Sequence, residues 1–572
     1  MCGIFGILNN NERMFSKTFI QTQFEKGKGR GPEYSGTHFI GKNTIFGFHR
    51  LAINGLNSNS NQPIIKDNIT LICNGEIYNY KELYKILEIN PETQSDCEVI
   101  IYLYQRYGIE KTLQLIDGVF AFLLLDYDVE CESIKLYAAR DPFGVRPLYI
   151  LHSDIDYENI FGFASELKCL SNFCHNSYTI DHLTPGTYQK YTQTYQVSSE
   201  WVRESSNPRY HLPGLINTQY SQYDYFSEID YLKPRIQTAL IAAVEKRCCT
   251  TERPIACLLS GGLDSSLITA LVNDFHKKNG LPVLETYSIG MKGSVDLYYA
   301  KIVADYLGTK HTEIILEESD FLNAIPEVIY AIESYDTTSV RASIGNYLLG
   351  KYISANSEAK VIFNGDGSDE LTGGYLYFHK APNSVEFDNE CRRLLSDIYM
   401  YDVLRSDKCI STHGLEPRTP FLDRAFVQMY LEIPSEIRFH AKHNVCEKDI
   451  LRSAFDNYQN VDKNRLLPAE IIWRKKEAFS DGVSKTSRSL YEIIQQHVET
   501  NQLHMNSSNS ARELSPYTFN PPNTPEQMYY RNVFEQFYPG RDDIVPYMWM
   551  PKFITGATDA SARTLSIYSE IK

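Results

Sequence analysis

The second residue of the chain is a cysteine, in Met1-Cys2-Gly3-Ile4, and it is small enough for an initiator methionine to be trimmed from it. Trimming would leave Cys2 with a thiol and a free α-amine of unperturbed pKa about 8, so nucleophile and base would share one residue. A thiolate attacking a carboxamide needs donors for the oxyanion. The segment Cys73-Asn74-Gly75-Glu76-Ile77-Tyr78-Asn79-Tyr80 offers the Asn74 side-chain amide and the Gly75 N–H at the end of an apolar strand. Arg50 suits a substrate carboxylate as a two-pronged donor, and Glu76 and Asp96 suit its ammonium. Together these groups describe an amino-acid amide, which points to glutamine. Singly each has an ordinary reading, packing for a cysteine and a surface pair for an arginine; the combination carries the inference.

A second chemistry lies further on. Ser260-Gly261-Gly262-Leu263-Asp264-Ser265-Ser266 follows the apolar run Pro254–Leu259 and precedes a helical stripe of Leu267, Ile268, Leu271, Val272 and Phe275. Two glycines let the backbone close on an anion, hydroxyls flank them, and a helix N-terminus stands behind, so the loop suits phosphate. Asp264 would repel bare phosphate, which implies a bridging cation, Mg²⁺ by its liking for carboxylate and phosphate oxygen, and hence a magnesium nucleotide. A second acidic loop, Asn364-Gly365-Asp366-Gly367-Ser368-Asp369-Glu370, follows the strand Val361-Ile362-Phe363. In an open parallel sheet both loops emerge at the same carboxyl edge, where Asp264 and Asp369 could share the metal. Lys476, in Arg474-Lys475-Lys476-Glu477, reads equally as a phosphate contact or a solvated charge. Gly345–Tyr352 almost spells a nucleotide P-loop, but a tyrosine replaces the metal-binding hydroxyl and the middle is apolar, so it reads as a packed helix.

The elements that must position these residues fall into two grammars. Up to about Tyr191 short strands alternate with Gly, Asn and Pro (46–50, 69–73, 119–125, 135–139, 161–164), with helices around 80–87 and 97–107, which predicts antiparallel sheets with helix cover. Residues 192–228 hold no period and read as a linker. From about Ile229 the order is strand, loop, helix, with strands at 254–259, 284–289 and 313–316, which predicts a parallel sheet. Beyond about Pro382 the chain reads as mostly helical, with a loop over Asn506–Pro525. The fold class is therefore a two-domain α/β and α+β protein, with domains 2–191 and 229–572.

Composition narrows the rest. A chain of 572 residues exceeds one compact core, and 43% hydrophobic residues exclude a disordered one. A net charge of −15 leaves no footprint for nucleic acid or an anionic membrane. The most apolar run, 119–125, is far short of the roughly 18 residues that span a bilayer, and the N-terminus has no secretory pattern, so a cytoplasmic protein is expected. Twelve cysteines without a CxxC pair argue against a zinc ribbon or disulfide scaffold.

These motifs resemble, in order and over nearly the whole chain, the glutamine-hydrolysing asparagine synthetases. The matching segments include Met1–Ile4, Arg30-Gly31-Pro32, His49–Ile53, Asn74–Tyr80, Ser95-Asp96, Ala139–Tyr149, Ser260–Ser266, Ser288–Met291, Gly367–Glu370, Gly373-Gly374-Tyr375, Pro417–Asp423, Lys476–Gly482 and Gly556–Leu565. The resemblance implies an αββα N-terminal-nucleophile glutaminase domain and a doubly wound ATP-pyrophosphatase domain. It implies that Cys2 hydrolyses glutamine, that ammonia travels internally, and that it displaces AMP from β-aspartyl-AMP made from aspartate and ATP with loss of pyrophosphate. By resemblance Arg50, Leu51, Ile53, Asn74, Gly75, Glu76 and Asp96 hold glutamine, and Asn74 and Gly75 also assist catalysis. Leu258, Ser260, Gly261, Gly262, Leu263, Asp264, Ser265, Ile289, Asn364 and Gly365 seat ATP, and Asp264 and Asp369 hold Mg²⁺. Thr338 and Arg341 orient the aspartyl group, and Asp366 and Lys476 are catalytic. Oligomeric state stays open, a homodimer among the options. Three residues depart from the family pattern. Glu33 replaces Asp in a loop where the change should be tolerated, while Asn364 and Asp366 replace Ser and Glu, which leaves Asp366 one methylene short. The alternatives are a related amidotransferase acting on another carboxylate and a non-catalytic relative.

Overall fold

The computed structural model describes the chain except residues 11–14, 42, 129–132, 154–159, 174–177, 195–197, 213–224, 485–487, 506–516, 558 and 562–572. Most of the segment expected to loop at 506–525, and the end of the 556–565 motif, therefore lie outside the described residues. The chain packs as two units. One comprises Met1–Leu212 with the short segments Thr250–Pro254 and Ser411–Glu416; the other comprises Pro213–Cys249, Ile255–Ile410 and Pro417–Lys572. Among the described residues no helix is long and apolar enough to cross a membrane.

The first unit contains two six-stranded sheets. One is built from β1 (Gly3–Leu8), β2 (Tyr34–Ile40), β3 (Thr44–Arg50), β8 (Tyr149–Ser153), β9 (Phe161–Ala164) and β10 (Tyr178–His182). The other is built from β4 (Ile64–Lys66), β5 (Ile69–Ile77), β6 (Gly118–Asp128), β7 (Ser133–Arg140), β11 (Tyr188–Thr194) and β12 (Ser198–Arg203). Both sheets are antiparallel, Gly3 facing His49 and Asn74 facing Ala121. Alternation makes the layers. Ile4, Leu8, Phe46 and Phe48 of one sheet meet Ile72, Leu123 and Leu136 of the other in a buried core. The opposite face of β5 and β6, through Leu71, Cys73, Phe120 and Phe122, packs under helices Tyr80–Leu87 and Val99–Leu115. On the outer face of the first sheet, Phe24 of helix Lys17–Glu25 stacks on His49 and meets Phe5. The layers are thus αββα.

Two details differ from the sequence reading. Helix Val99–Leu115 runs past Tyr107 through a kink at Gly108, whose φ of 75° only glycine adopts freely. Inside the stretch read as a linker, β12 pairs antiparallel with β11, anchored by a fully buried Trp201 whose indole N–H donates to Thr44 Oγ1 at 2.9 Å.

The second unit is organised on a five-stranded sheet in the order β15 (Lys310–Leu316), β14 (Glu285–Met291), β13 (Ile255–Leu258), β16 (Val361–Phe363), β17 (Glu416–Arg418). β13 runs parallel to both β14 and β16, and β14 to β15. The chain moves one way from β13 to β14 and β15, then crosses back to β16, so the loops after β13 and β16 leave the sheet at its topological switch point. The near P-loop at 345–352 lies inside helix Thr337–Asn356.

Candidate functional site

β1 and β5 carry the first site on facing sheets. Cys2 stands two residues before Ile4 and packs against the inter-sheet core; Asn74, two residues after Ile72, is fully buried. Ser165 Oγ joins the two strands, accepting from the Ile4 N–H at 3.1 Å and the Asn74 amide at 3.4 Å. Asn74 Oδ1 is buried without a partner. Arg30 fixes the backbone of the cysteine, its Nε donating to the Cys2 carbonyl at 2.9 Å while Nη1 pairs with Glu166 at 2.6 Å. The Cys2 thiol donates to the Leu51 carbonyl at 3.7 Å, and burial pushes its pKa up. Met1 is itself buried, its amine 3.7 Å from Glu416, so the Cys2 nitrogen is here an amide. A Cβ on Gly75 would collide with the Val119 carbonyl and Phe120, so β6 lies where only glycine fits.

The loop after β3 closes one side. The Arg50 guanidinium is taken by this loop: Nη1 donates to the Asn57 carbonyl at 2.8 Å and Asn61 Oδ1 at 2.7 Å, and Nη2 to the carbonyls of Asn54 and Gly55. A substrate carboxylate would therefore have to replace loop carbonyls. Glu33 is no bystander, since it accepts from the Ala52 N–H at 2.7 Å and pairs with Arg253 at 2.7 Å. Glu252, absent from the sequence reading, accepts from the Gly55 N–H at 2.6 Å and donates its own N–H to the Ile53 carbonyl. Glu76 accepts from Asn54 Nδ2 and Asp96 from the Ile77 N–H, each at 2.6 Å. Burial, with Asp96, Glu76 and Glu252 nearby, pushes the Tyr80 phenol up to about 12. That concentration of carboxylates favours a bound ammonium.

The second site is a pocket at the switch point of the parallel sheet. Of the residues read from the sequence, Leu258, Ser260, Gly262, Leu263, Asp264, Ser265, Ile289, Thr338, Asn364, Gly365, Asp366, Asp369 and Lys476 line it. Gly261 does not. Its φ is +72° and a Cβ would strike the backbone of Tyr299 and Ala300, so it turns the loop against helix Val295–Leu307. The Ser260 and Ser265 hydroxyls bond at 2.9 Å, and helix Leu263–Lys278 has Gly262 as its N-cap, so no side chain caps its first N–H groups. Arg474 braces the loop, donating to the Ser260 carbonyl at 3.4 Å and to Asp296 at 2.9 Å.

Asp264 and Asp369 are brought together by a residue sequence reasoning missed. Lys448 Nζ lies 2.5 Å from Asp264 Oδ2 and 2.6 Å from Asp369 Oδ1, while Lys476 Nζ lies 2.6 Å from Asp369 Oδ2 and 3.9 Å from Asp264. Burial opposes ionisation of Asp369, but the two ammonium groups outweigh it and hold the carboxyl well below its usual range. A side chain at Gly374 would run into Lys448 and Asp369, which accounts for a glycine there. Asp366 is in a different environment: burial pushes it up to about 6, opposed by Arg405, whose Nη2 is 3.5 Å away and is shared with Asp402.

Thr338 and Arg341 part company. Asp336 caps the helix by accepting from the Ser339 N–H at 2.8 Å, and Thr338, Ala342, Asn346 and Leu349 then face the pocket at helical spacing. The Thr338 hydroxyl oxygen is buried and unpartnered. Arg341 points off that face into Glu526, at 2.7 and 2.6 Å, and Asp559, at 2.8 and 2.5 Å, over the Tyr491 ring. It is a tie to the C-terminal segments and does not line the pocket. We expect Arg341→Met to destabilise the fold by about 3–5 kcal/mol, because two buried carboxylates lose their partner. Denaturant titration checks this; unchanged stability with a raised KM for the acyl substrate would return Arg341 to the substrate.

A family described as "Glutamine amidotransferase domain" matches residues 1–207, and one described as "Asparagine synthase" matches residues 235–390 and 382–546. The chain is 39% identical over 579 residues to the asparagine synthetase (glutamine-hydrolyzing) of Gallus gallus and equally to that of Homo sapiens, covering 99% of each chain. It is 38% identical over 584 residues to that of Cricetulus griseus, again with 99% of both chains. The chain belongs to the asparagine synthase family. Both halves of the asparagine synthase architecture are present, and the two clusters described above fall one in each matched region.

Proposed function

We propose that this chain makes asparagine from aspartate, glutamine and ATP, releasing glutamate, AMP and pyrophosphate. The observation that carries the synthetase half is the meeting of Asp264, Asp369, Lys448 and Lys476 at the mouth of a glycine-rich strand–helix loop. In the glutaminase half, Cys2 without Met1 attacks the glutamine carboxamide, its α-amine taking the thiol proton and returning one to the leaving ammonia. The Asn74 amide and the Gly75 N–H receive the oxyanion, and water then releases glutamate from the thioester. Arg50 takes the α-carboxylate, and Glu76 and Asp96 take the ammonium.

In the synthetase half the aspartate β-carboxylate attacks the α-phosphorus and pyrophosphate departs. Lys476 and Lys448 counter the charge of the departing group, while the Ser260 and Ser265 hydroxyls and the N–H groups of the helix behind them hold phosphate. Asp264 and Asp369, which the structure brings to a single cationic point on Lys448, are the residues that would hold Mg²⁺. When bound, Mg²⁺ would neutralise the phosphates and polarise the P–O bond. Thr338 offers a hydroxyl to the acyl group. Ammonia then adds to the β-carbonyl, Asp366 takes the surplus proton, and AMP leaves. We place the reaction in the cytosol.

The test is mass spectrometry of products from Met1-processed protein with Mg-ATP, aspartate and ¹⁵N-amide glutamine. Labelled asparagine with one AMP per product is expected. Glutamate without asparagine or AMP would confine the activity to the first half, and a labelled amide only from another carboxylic acid would reassign the acyl substrate.

A further inference from the structure

The loop after β16 is held through Asn364 by the Ser406 hydroxyl. Asn364 leaves the strand with its N–H on the Arg418 carbonyl at 3.1 Å. Its Oδ1 accepts from the Asp366 N–H at 3.3 Å, an Asx turn that dictates where residue 366 begins. That contact fixes which way the amide faces, since an NH₂ group cannot accept from an N–H. Nδ2 must then point away, and it donates to Ser406 Oγ at 2.8 Å with both residues buried. Having accepted there, the Ser406 hydroxyl has its own proton left to give.

Asp366 is the group this arrangement serves. Its Oδ2 is buried without a hydrogen-bond partner, and its Oδ1 faces Arg405 at a loose 3.5 Å because Asp402 holds the same guanidinium nitrogen more closely. A carboxylate on a short arm goes where its backbone puts it, and the backbone here is set by the Asn364 turn. The Ser406 hydroxyl also acts on the Asp366 carboxyl, favouring its ionised form.

We propose that Ser406 is a positioning residue for amide formation: by locking Asn364 it aims the Asp366 carboxylate into the pocket, where the incoming ammonia must lose a proton. The proposal rests on the function proposed above. In the step concerned, the ammonia nitrogen bonds to the β-carbonyl carbon, one N–H proton passes to the Asp366 carboxylate, and the bond from that carbon to the phosphate oxygen breaks with AMP keeping the electron pair. Ser406 touches neither substrate nor nucleotide in this scheme, and it acts through Asn364 on Asp366.

Two half-reactions read this separately in the full-length protein. Aspartate-dependent exchange of labelled pyrophosphate into ATP reports adenylation, and ammonia-dependent asparagine formation reports the whole sequence. Ser406→Ala should leave exchange within about twofold while lowering kcat for ammonia-dependent synthesis about tenfold, a modest part of what a positioned base contributes. Ser406→Cys, nearly isosteric but a weak donor and acceptor, should do the same and covers the case in which the alanine variant is unstable. In an Asp366→Asn background the serine substitution should add no further loss, since residues acting as one unit are not additive. Equal loss in both half-reactions, or a full additional loss on top of Asp366→Asn, would overturn the proposal and make Ser406 a packing residue. Exchange with aspartate but no asparagine from the parent protein would instead overturn the proposed function, and this inference with it.

Discussion

Cys2→Ala should leave ammonia-dependent asparagine formation within about twofold of the parent while glutamine-dependent formation falls by at least about 10⁴-fold, as the loss of a covalent nucleophile does elsewhere. The substitution is structurally gentle. The thiol's contact with the Leu51 carbonyl is long, at 3.7 Å, and β1 is held by its register with β3 and β9 and by Arg30 on the Cys2 carbonyl. None of these needs sulfur. A corollary concerns the base. Burial pushes the thiol up, so with Met1 in place Cys2 is a protonated thiol whose nitrogen is a peptide amide. Glutaminase activity should therefore track the Met1-free fraction of a preparation, read by intact mass. Equal loss of glutamine- and ammonia-dependent synthesis in a folded Cys2→Ala protein would mean that the two halves do not divide the chemistry in this way.

What could be read from the sequence was what is contiguous in it. Ser260–Ser266 and Asn364–Glu370 each carry glycine, hydroxyl and carboxylate within seven residues after an apolar strand, and parallel topology alone brings them to one edge. Lys448 had no such signal. It arrives 184 residues after Asp264 from a short helix start, and only the fold places it between the two aspartates. Arg341 shows the converse error. It sits three residues after Thr338 on one helix and looked like its companion, but the face that lines the pocket continues through Ala342, and partners 185 and 218 residues away claim the guanidinium. Glu33 reads as a tolerated loop substitution because nothing local reveals that its carboxylate accepts from the Ala52 N–H in the loop that follows Arg50. β12 was hidden by polar composition, with Trp201 the one residue that gave it a reason to be buried. Contacts between distant segments set the pocket's charges, while local patterns set its backbone.

Asp264→Asn should abolish aspartate-dependent pyrophosphate release, by at least about 10²-fold, while glutamine hydrolysis persists, because Cys2 lies in the other unit. In the parent, Asp264 shares Lys448 with Asp369 and accepts from the Ser368 hydroxyl at 2.8 Å. An amide in its place removes one of two negative charges facing two ammonium groups, and if its NH₂ replaces Oδ2 it sets a donor against the Lys448 ammonium. Lys448 would then fall to Asp369 alone, and that carboxylate, already bound to Lys476 at 2.6 Å, would be less available to a divalent ion. The loss should therefore include weaker Mg²⁺ binding, not only slower turnover. Raising Mg²⁺ should recover part of the pyrophosphate release of Asp264→Glu, which keeps the charge, and none of that of Asp264→Asn. Undiminished pyrophosphate release in the asparagine variant would remove Asp264 from the metal site and leave Lys448 and Lys476 as the groups that hold the phosphates.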